Sequence, residues 1–83
     1  MIDVHYFANI REVLGIAHEQ LPLPSLPTVA GVIDALVMRH GGRWQAMFGE
    51  TKVLAAVNQV VVPLTATIKD GDEVAFFPPV TGG

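Results

Sequence analysis

The sequence contains no cysteine among its 83 residues. This absence excludes a disulfide framework, a thiolate metal or iron–sulfur site and a cysteine nucleophile, and it is consistent with a reducing compartment. Basic residues are also few: five Lys and Arg stand against eight Asp and Glu, for a formal net charge of −3. Nucleic-acid binding depends on clustered basic residues that neutralise phosphates. Because the five basic residues are scattered along the chain, we expect no nucleic-acid partner.

Long apolar runs are missing as well. No stretch approaches the roughly 18–20 apolar residues that a membrane span needs, and the opening Met1-Ile2-Asp3 lacks the basic region of a signal peptide. We therefore expect a cytoplasmic protein that does not contact a membrane. With 51% hydrophobic and 16% charged residues, the composition is that of a single folded domain and not of a disordered segment.

Hydrophobic periodicity predicts short strands and helices in alternation. Over residues 1–7 the pattern has period two, with Ile2, Val4 and Tyr6 on one face. Apolar residues recur at helical spacing after Thr28, an expected N-cap, and this predicts a helix over residues 29–40 that ends at Gly41-Gly42. A capping box formed by Asn9 and Glu12 predicts a short helix over 10–14 that ends at Gly15. The remaining predicted elements are strands over 18–21, 53–57, 60–62 and 73–77 and a short turn over 43–48.

One amphipathic helix can cover only one face of a sheet, so this order of elements predicts two layers. The simplest assembly is an α+β fold of the β-grasp, or ubiquitin-like, type. It has a mixed sheet of about five strands wrapped on one main helix, with one or two short helices. We expect residues 1–79 to form this domain and residues 80–83 to form a flexible tail, because Pro78-Pro79 prevents the last strand from continuing.

No residue cluster has the spacing of a catalytic or metal site. The histidines His5, His18 and His40 are far apart in sequence and lack a carboxylate three or four residues away, so we expect structural roles for them and no metal. The run Asp70-Gly71-Asp72-Glu73 lacks the alternating ligands of a calcium loop and predicts a turn.

The face of the sheet that turns away from the main helix is more informative. If Val74 and Phe76 lie beneath the helix, the alternation directs Ala75 and Phe77 outward. Phe7 and one of the two residues Val60 and Val61 point the same way. Contiguous apolar patches on a surface mark sites where partners bind, so we expect this face to bind another protein.

The C-terminus carries the strongest signal. Gly82 and Gly83 have no Cβ, so the terminal carboxylate can pass along a channel that is too narrow for other residues. Pro78-Pro79 stiffens the segment before them and holds it away from the sheet. A diglycine ending alone is weak evidence, but a diglycine that closes the chain directly after the last strand of a β-grasp domain is a strong functional signal.

Three segments resemble one family. The terminal sequence Val74-Ala75-Phe76-Phe77-Pro78-Pro79-Val80-Thr81-Gly82-Gly83, preceded by Asp70-Gly71-Asp72-Glu73, closely resembles the ending of molybdopterin synthase small subunits. Leu54-Ala55-Ala56-Val57-Asn58-Gln59 resembles the middle strand and turn of this family. Phe7-Ala8-Asn9-Ile10-Arg11-Glu12-Val13-Leu14-Gly15 resembles its first strand-to-helix segment.

The resemblance implies a sulfur carrier that is not catalytic by itself. An E1-like adenylating enzyme would use ATP to activate Gly83, and sulfur would then replace the adenylate and leave a thiocarboxylate, a 1-thioglycine. The carrier would donate this sulfur to cyclic pyranopterin monophosphate inside the large subunit of a heterotetrameric molybdopterin synthase. It would hold no permanent cofactor. The residues implied to contact partners are Phe7, Val61, Ala75, Phe77, Pro78, Pro79, Val80 and Thr81, with Gly82 in the narrow channel.

Three other functions stay open. A thiamine-pathway sulfur carrier has the same fold and also ends in Gly-Gly, although the segment Phe76-Phe77-Pro78-Pro79-Val80 favours the molybdopterin pathway. A ubiquitin-like modifier would be conjugated to lysines through Gly83. A plain interaction module would have an inert tail. The sulfur donor, the partner affinities and the stoichiometry are not determined by the sequence.

Overall fold

The computed structural model describes residues 1–79. Within this range the chain forms five strands and three helices, in the order β1 (Ile2–Tyr6), α1 (Ala8–Leu14), β2 (His18–Leu21), α2 (Val29–His40), α3 (Gly42–Glu50), β3 (Leu54–Val57), β4 (Val60–Val62) and β5 (Glu73–Phe77). The predicted flexible tail, residues 80–83, lies outside the described residues. No helix in residues 1–79 is long and apolar enough to cross a membrane.

The strands form one mixed sheet in the order β2-β1-β5-β3-β4. The first and last strands, β1 and β5, pair in parallel, whereas the other three pairings are antiparallel. This places β5 at the centre of the sheet, although it is the last strand in the sequence. The arrangement confirms the predicted β-grasp fold.

The core lies between one face of the sheet and the three helices. Period-two alternation brings apolar residues of the strands to this inner face, as the sequence predicted for β1. These buried strand residues are Ile2, Val4, Tyr6, Leu21, Ala55, Val74 and Phe76. The helices contribute the buried residues Ile10, Leu14, Val29, Val32, Leu36, Trp44 and Met47, and the loop before β5 contributes Ile68.

The predicted capping box at the start of α1 is wrong. The helix begins at Ala8, with Phe7 at the N-cap position and no side-chain cap. Ala8 makes the turn from strand to helix itself by adopting a positive φ of 53°. Asn9 therefore lies inside the first turn, where it cannot serve as the N-cap. The predicted end at Gly15 is confirmed: its φ is 83°, and its backbone N–H donates to the carbonyl oxygen of Arg11.

The main helix begins and ends as predicted, but the segment after it does not. Thr28 accepts a hydrogen bond from the Gly31 N–H and caps α2. Gly41 alone ends the helix, with a φ of 82°, and Gly42 is already the first residue of α3. Residues 42–50 thus form a helix where a short turn was predicted. Burial of Trp44 and Met47 three residues apart gives this helix one core-facing side.

A half-buried carboxylate links four elements at the edge of the core. Glu19 on β2 accepts hydrogen bonds from the Tyr6 hydroxyl (2.6 Å) and from Arg39 Nη1 (3.1 Å), and His40 Nε2 lies 2.7 Å from the same carboxylate. Trp44 Nε1 donates to the Tyr6 hydroxyl (3.0 Å), and the His40 ring stacks on the Trp44 indole at 3.8 Å. Burial alone raises the pKa of the Glu19 carboxyl, but the hydrogen bonds from Tyr6, His40 and Arg39 outweigh it and hold the pKa below its usual value.

This network makes the stability of the fold depend on pH. Because the pKa of Glu19 in the folded state lies below its unfolded value of about 4.5, the network stabilises fully above that pH. Its contribution is lost as the pH falls through the folded pKa. We expect Glu19→Gln to lower the free energy of unfolding at pH 7 by about 2 kcal/mol.

Urea titrations of both proteins at several pH values measure this effect. The difference between wild type and Glu19→Gln should stay constant from pH 7 to about 4.5 and then shrink as the pH falls further towards 3. Asp3 and Asp72, whose pKa values are also lowered, destabilise both proteins in acid, so the difference isolates Glu19. A difference that stays constant down to pH 3 would contradict a role for the ionised carboxylate.

Two helical glycines provide a second prediction. At Gly31 in α2 a Cβ would overlap the carbonyl oxygen of Leu26, whereas at Gly49 in α3 it would meet nothing within 4 Å. Gly31→Ala should therefore lower the free energy of unfolding by about 2 kcal/mol, because the helix or the preceding loop must shift. Gly49→Ala should raise it by about 0.5–1 kcal/mol through helix propensity. Urea denaturation measures both, and a loss of stability in Gly49→Ala equal to that in Gly31→Ala would contradict the close-approach argument.

Candidate functional site

The candidate site is the outer face of the sheet, which we define as the face opposite the helices. Strand register brings one residue from each of the five strands into a single row across this face. His5 on β1 pairs with His18 on β2 and with Ala75 on β5. Ala75 also pairs with Ala56 on β3. Ala56 in turn pairs with Val61 on β4. The row therefore reads His18, His5, Ala75, Ala56 and Val61.

The turn between β3 and β4 decides which valine belongs to this row. Asn58 and Gln59 both have positive φ values, 49° and 70°, as in the two-residue turns that match the twist of a hairpin. The Asn58 side chain fixes the turn to β5, since its Oδ1 accepts from the Glu73 N–H at 3.0 Å. The resulting register assigns Val61 to the outer face, with 64% of its surface exposed.

One end of the outer face is apolar. Phe7 follows β1 and donates its backbone N–H to the carbonyl oxygen of Phe76 at 3.1 Å, so it ends beside Phe77, the last residue of β5. Phe7 is 48% exposed, and Phe77 is half-buried. We call Phe7, Val61 and Phe77 the apolar patch. Leu54 pairs with Phe77 and adds a fourth apolar residue that sequence reasoning missed.

The expectation that Ala75 is an exposed member of the patch is wrong in part. Register assigns Ala75 to the outer face, but it is only 6% exposed, and its neighbour Ala56 is 7% exposed. Neither belongs to the core cluster on the other side of the sheet. Because their side chains are small and lie between His5 and Val61, the two alanines form the floor of a shallow trough. A partner side chain would meet them only by entering this trough.

Two stacked histidines border the trough. The His5 and His18 ring centroids are 4.6 Å apart at 28°, and the Phe7 ring is 6.4 Å from His5 at 16°. His5 Nε2 lies 3.7 Å from Glu73 Oε1, and His18 Nε2 lies 3.5 Å from Asp3 Oδ1. The hydrogen bond from Gln20 is the main cause that holds the pKa of Asp3 below its usual value. The aromatic row thus runs from the apolar patch to two carboxylates.

The ionisable side chains of residues 1–79 do not form a metal-binding cluster. No three His, Asp or Glu side chains of these residues lie close enough to hold a metal ion. An open groove of about 420 Å³ between α2 and α3 is lined mostly by apolar residues, with Asp34 as its one ionisable residue. His40 serves the Glu19 network, and Asp72 caps the turn before β5 by accepting from the Lys69 N–H. This arrangement suits a surface that docks onto another protein.

The remaining predicted site residues lie at or beyond the end of β5. Pro78 and Pro79 are half-buried and follow Phe77 directly. Val80, Thr81, Gly82 and Gly83 lie outside the described residues. The role of every predicted site residue in binding or chemistry therefore stays a prediction.

Comparison with known proteins identifies the family to which the chain belongs. The ThiS family model matches residues 4–83. Two proteins named molybdopterin synthase sulfur carrier subunit, from Haemophilus influenzae and Escherichia coli, are 41% and 42% identical over 83 residues, and each comparison covers both chains completely. A solved structure described as putative molybdopterin converting factor, subunit 1, from Pyrococcus furiosus superposes with a TM-score of 0.75. It is 31% identical and covers 95% of this chain and 97% of that chain.

These similarities extend over the whole length of the chain. They include the first strand-to-helix segment, the β3 turn and the terminal ten residues on which the resemblance was based. The predicted resemblance to molybdopterin synthase small subunits is confirmed. The chain belongs to the ThiS family.

Proposed function

We propose that this protein is the sulfur carrier subunit of a molybdopterin synthase and that it carries sulfur as a thiocarboxylate on Gly83. Its relatives of the same length bear that name. The observation that carries the proposal is the position of β5. The central strand ends at Phe77, beside Phe7, and the six residues 78–83 lead from it to the diglycine Gly82-Gly83.

The chemistry proposed for Gly83 follows from the weakness of a carboxylate as an electrophile. An E1-like enzyme joins one carboxylate oxygen to the α-phosphate of ATP and releases pyrophosphate, so that AMP becomes a leaving group. A sulfur nucleophile from the donor then displaces AMP and leaves the thiocarboxylate. A chain without cysteine needs such a group to carry sulfur. The product, a 1-thioglycine, donates its sulfur to cyclic pyranopterin monophosphate in the large subunit.

The division of labour between the subunits follows from what residues 1–79 contain. Their outer face offers apolar and aromatic side chains beside the end of β5 and no assembled catalytic cluster. The activating enzyme and the large subunit would therefore supply the nucleotide site and the acid–base groups. In this proposal the carrier presents Phe7, Val61 and Phe77 to both proteins in turn, in the cytoplasm, and inserts its tail into each active site.

Docking through the apolar patch predicts a specific loss of binding. Phe7→Asp removes an exposed aromatic residue from the patch and introduces a good N-cap for α1, so the fold should be retained. We expect it to weaken association with the large subunit by about 2 kcal/mol, or roughly 30-fold, as for an interface hot spot. Isothermal titration calorimetry measures this loss.

Leu64→Asp is the matched control, because Leu64 is similarly exposed at 44% and its carbonyl oxygen bonds to α2 in the helical layer. It adds the same charge away from the outer face and should bind normally. Equal affinities of Phe7→Asp and Leu64→Asp, both folded by circular dichroism, would show that the patch is not the docking surface.

Changes at the terminal glycines should prevent formation of the thiocarboxylate without preventing docking. Deleting Gly83 moves the reactive carbon back by about 3.5 Å, and a 1 Å misplacement already costs on the order of a hundredfold in rate. Formation of the thiocarboxylate should therefore be almost abolished, whereas docking through the apolar patch should largely survive. Gly82→Ala should impair the chemistry severely, because a methyl group must enter the same channel.

Intact mass after incubation with the activating enzyme, ATP and a sulfur source measures the chemistry, and titration with the large subunit measures docking. Normal pterin sulfuration by the Gly83 deletion would exclude a carrier role for this residue. The same assays distinguish the other functions: isopeptide-linked adducts would indicate a protein modifier, and copurification with a thiazole-forming synthase would indicate the thiamine pathway.

A further inference from the structure

The outer face of the sheet is apolar at one end and acidic at the other. Beyond the row of histidines and alanines, the next positions on β1 and β5 are Asp3 and Glu73, which pair with each other in the sheet. Their side chains are 39% and 36% exposed. Phe7 and Phe77 thus occupy one end of the face and two carboxylates occupy the other. The row between them holds the stacked rings of His5 and His18 and, on the edge strand β4, Val61.

We infer that the docking surface continues from the apolar patch across His5 and His18 to Asp3 and Glu73, and that the partner places a basic side chain against these two carboxylates. This inference rests on the proposed function, in which the large subunit covers the outer face. Continuity supports it, because the Phe7, His5 and His18 rings form one stacked row from the patch to the acidic end. Charge complementarity gives the partner its chemistry, an apolar centre flanked on one side by Arg or Lys.

The acidic end can fix how the carrier is oriented. Apolar contacts bury area without a strong directional preference, whereas charged groups at one end of an interface favour a single register. The tail leaves the domain at the opposite end, after Phe77. A partner that recognises both ends therefore holds the carrier with its terminus aimed in one direction, which suits a reaction that depends on exact placement.

The two histidines make this recognition depend on pH. His5 faces Glu73 from β5, Asp3 from its own strand and His18 from β2, and His18 faces Asp3 and His5. Gln20, the remaining polar neighbour, is neutral and bonds to Asp3 at 2.6 Å. With neutral histidines this group carries two negative charges, and with both histidines protonated it carries none net.

Protonation of the histidines should weaken docking for two reasons. It removes the net negative charge that attracts a basic partner residue, and it adds two cations that must lose water on docking. Both effects have the same sign. The affinity should therefore fall when the two histidines become protonated on acidification.

The first test removes the carboxylates without changing side-chain size. The double variant Asp3→Asn, Glu73→Gln should bind the large subunit about fivefold more weakly at low salt, and the loss should shrink at 0.5 M salt. The matched control is Asp34→Asn, Glu50→Gln, which removes the same total charge from exposed positions on α2 and α3. This control should bind within about twofold of wild type.

The second test compares wild type with His5→Gln, His18→Gln at pH 7.5 and 5.5. The affinity of wild type should fall on acidification more than that of the variant, and this difference cancels any titration of the partner. Equal losses in the two charge variants would overturn the inference, as would an affinity of wild type that rises relative to the histidine variant at pH 5.5.

Failure of this inference is distinguishable from failure of the proposed function. If wild type does not bind the large subunit, or if Phe7→Asp has no effect, the proposed docking itself is wrong. If Phe7→Asp weakens binding but the Asp3, Glu73 variant matches its control, docking stands and only its extension to the acidic end is rejected.

Discussion

The parallel pairing of the first and last strands is the constraint on which the rest of the structure depends. In β1 and β5 the register runs from Asp3 opposite Glu73 to Tyr6 opposite Phe76, and the Phe7 N–H extends it by one more bond. Parallel strands that begin together also end together. The end of the first strand, the end of the last strand and Pro78-Pro79 therefore meet at one edge of the sheet. The closeness of Phe7 to Phe77 follows from this single register.

The same pairing gives the two faces of the sheet different roles. The inner face takes the large apolar residues of β1 and β5 and packs them against the helices, so the outer face is not needed for the core. Small residues suffice at its centre, where Ala56 and Ala75 are covered by their neighbours. The polar network that links the sheet to the helices lies elsewhere, around Glu19 at the junction of β2 with α2. Substitutions on the outer face can therefore change docking with little effect on stability.

The sequence predicted the features that local patterns encode. Period-two alternation predicted β1 and β5, and Thr28 with its apolar stripe predicted the bounds of α2. Three features could not be predicted from the sequence because they depend on tertiary contacts. The start of α1 is set by the positive φ of Ala8, and the helical state of 42–50 by burial of Trp44 and Met47. The Glu19 network depends on hydrogen-bond partners that are up to 38 positions apart in the sequence.

The candidate site, like the fold, could be predicted from the sequence only in part. Alternation was enough to direct Phe77 outward, but the choice between Val60 and Val61 required the register that the Asn58-Gln59 turn imposes. Alternation could not predict that Ala75 is buried. It gives the direction in which a side chain points, but it does not show whether larger neighbouring side chains cover it. The stacked histidines were the least visible feature, because His5 and His18 are brought together only by the antiparallel pairing of β1 with β2.

In the proposed function the carrier docks onto two enzymes in turn, so it would need an interface that forms specifically and also releases. A large apolar patch would favour affinity at the expense of release, since apolar burial gives most of the binding energy in well-packed interface centres. The outer face instead combines a few apolar residues with solvent-exposed charges, which contribute more to orientation and association rate than to affinity. The covalent chemistry proposed for Gly83 would then require no tight complex, because its carbonyl carbon would react only while it is held in a partner's active site.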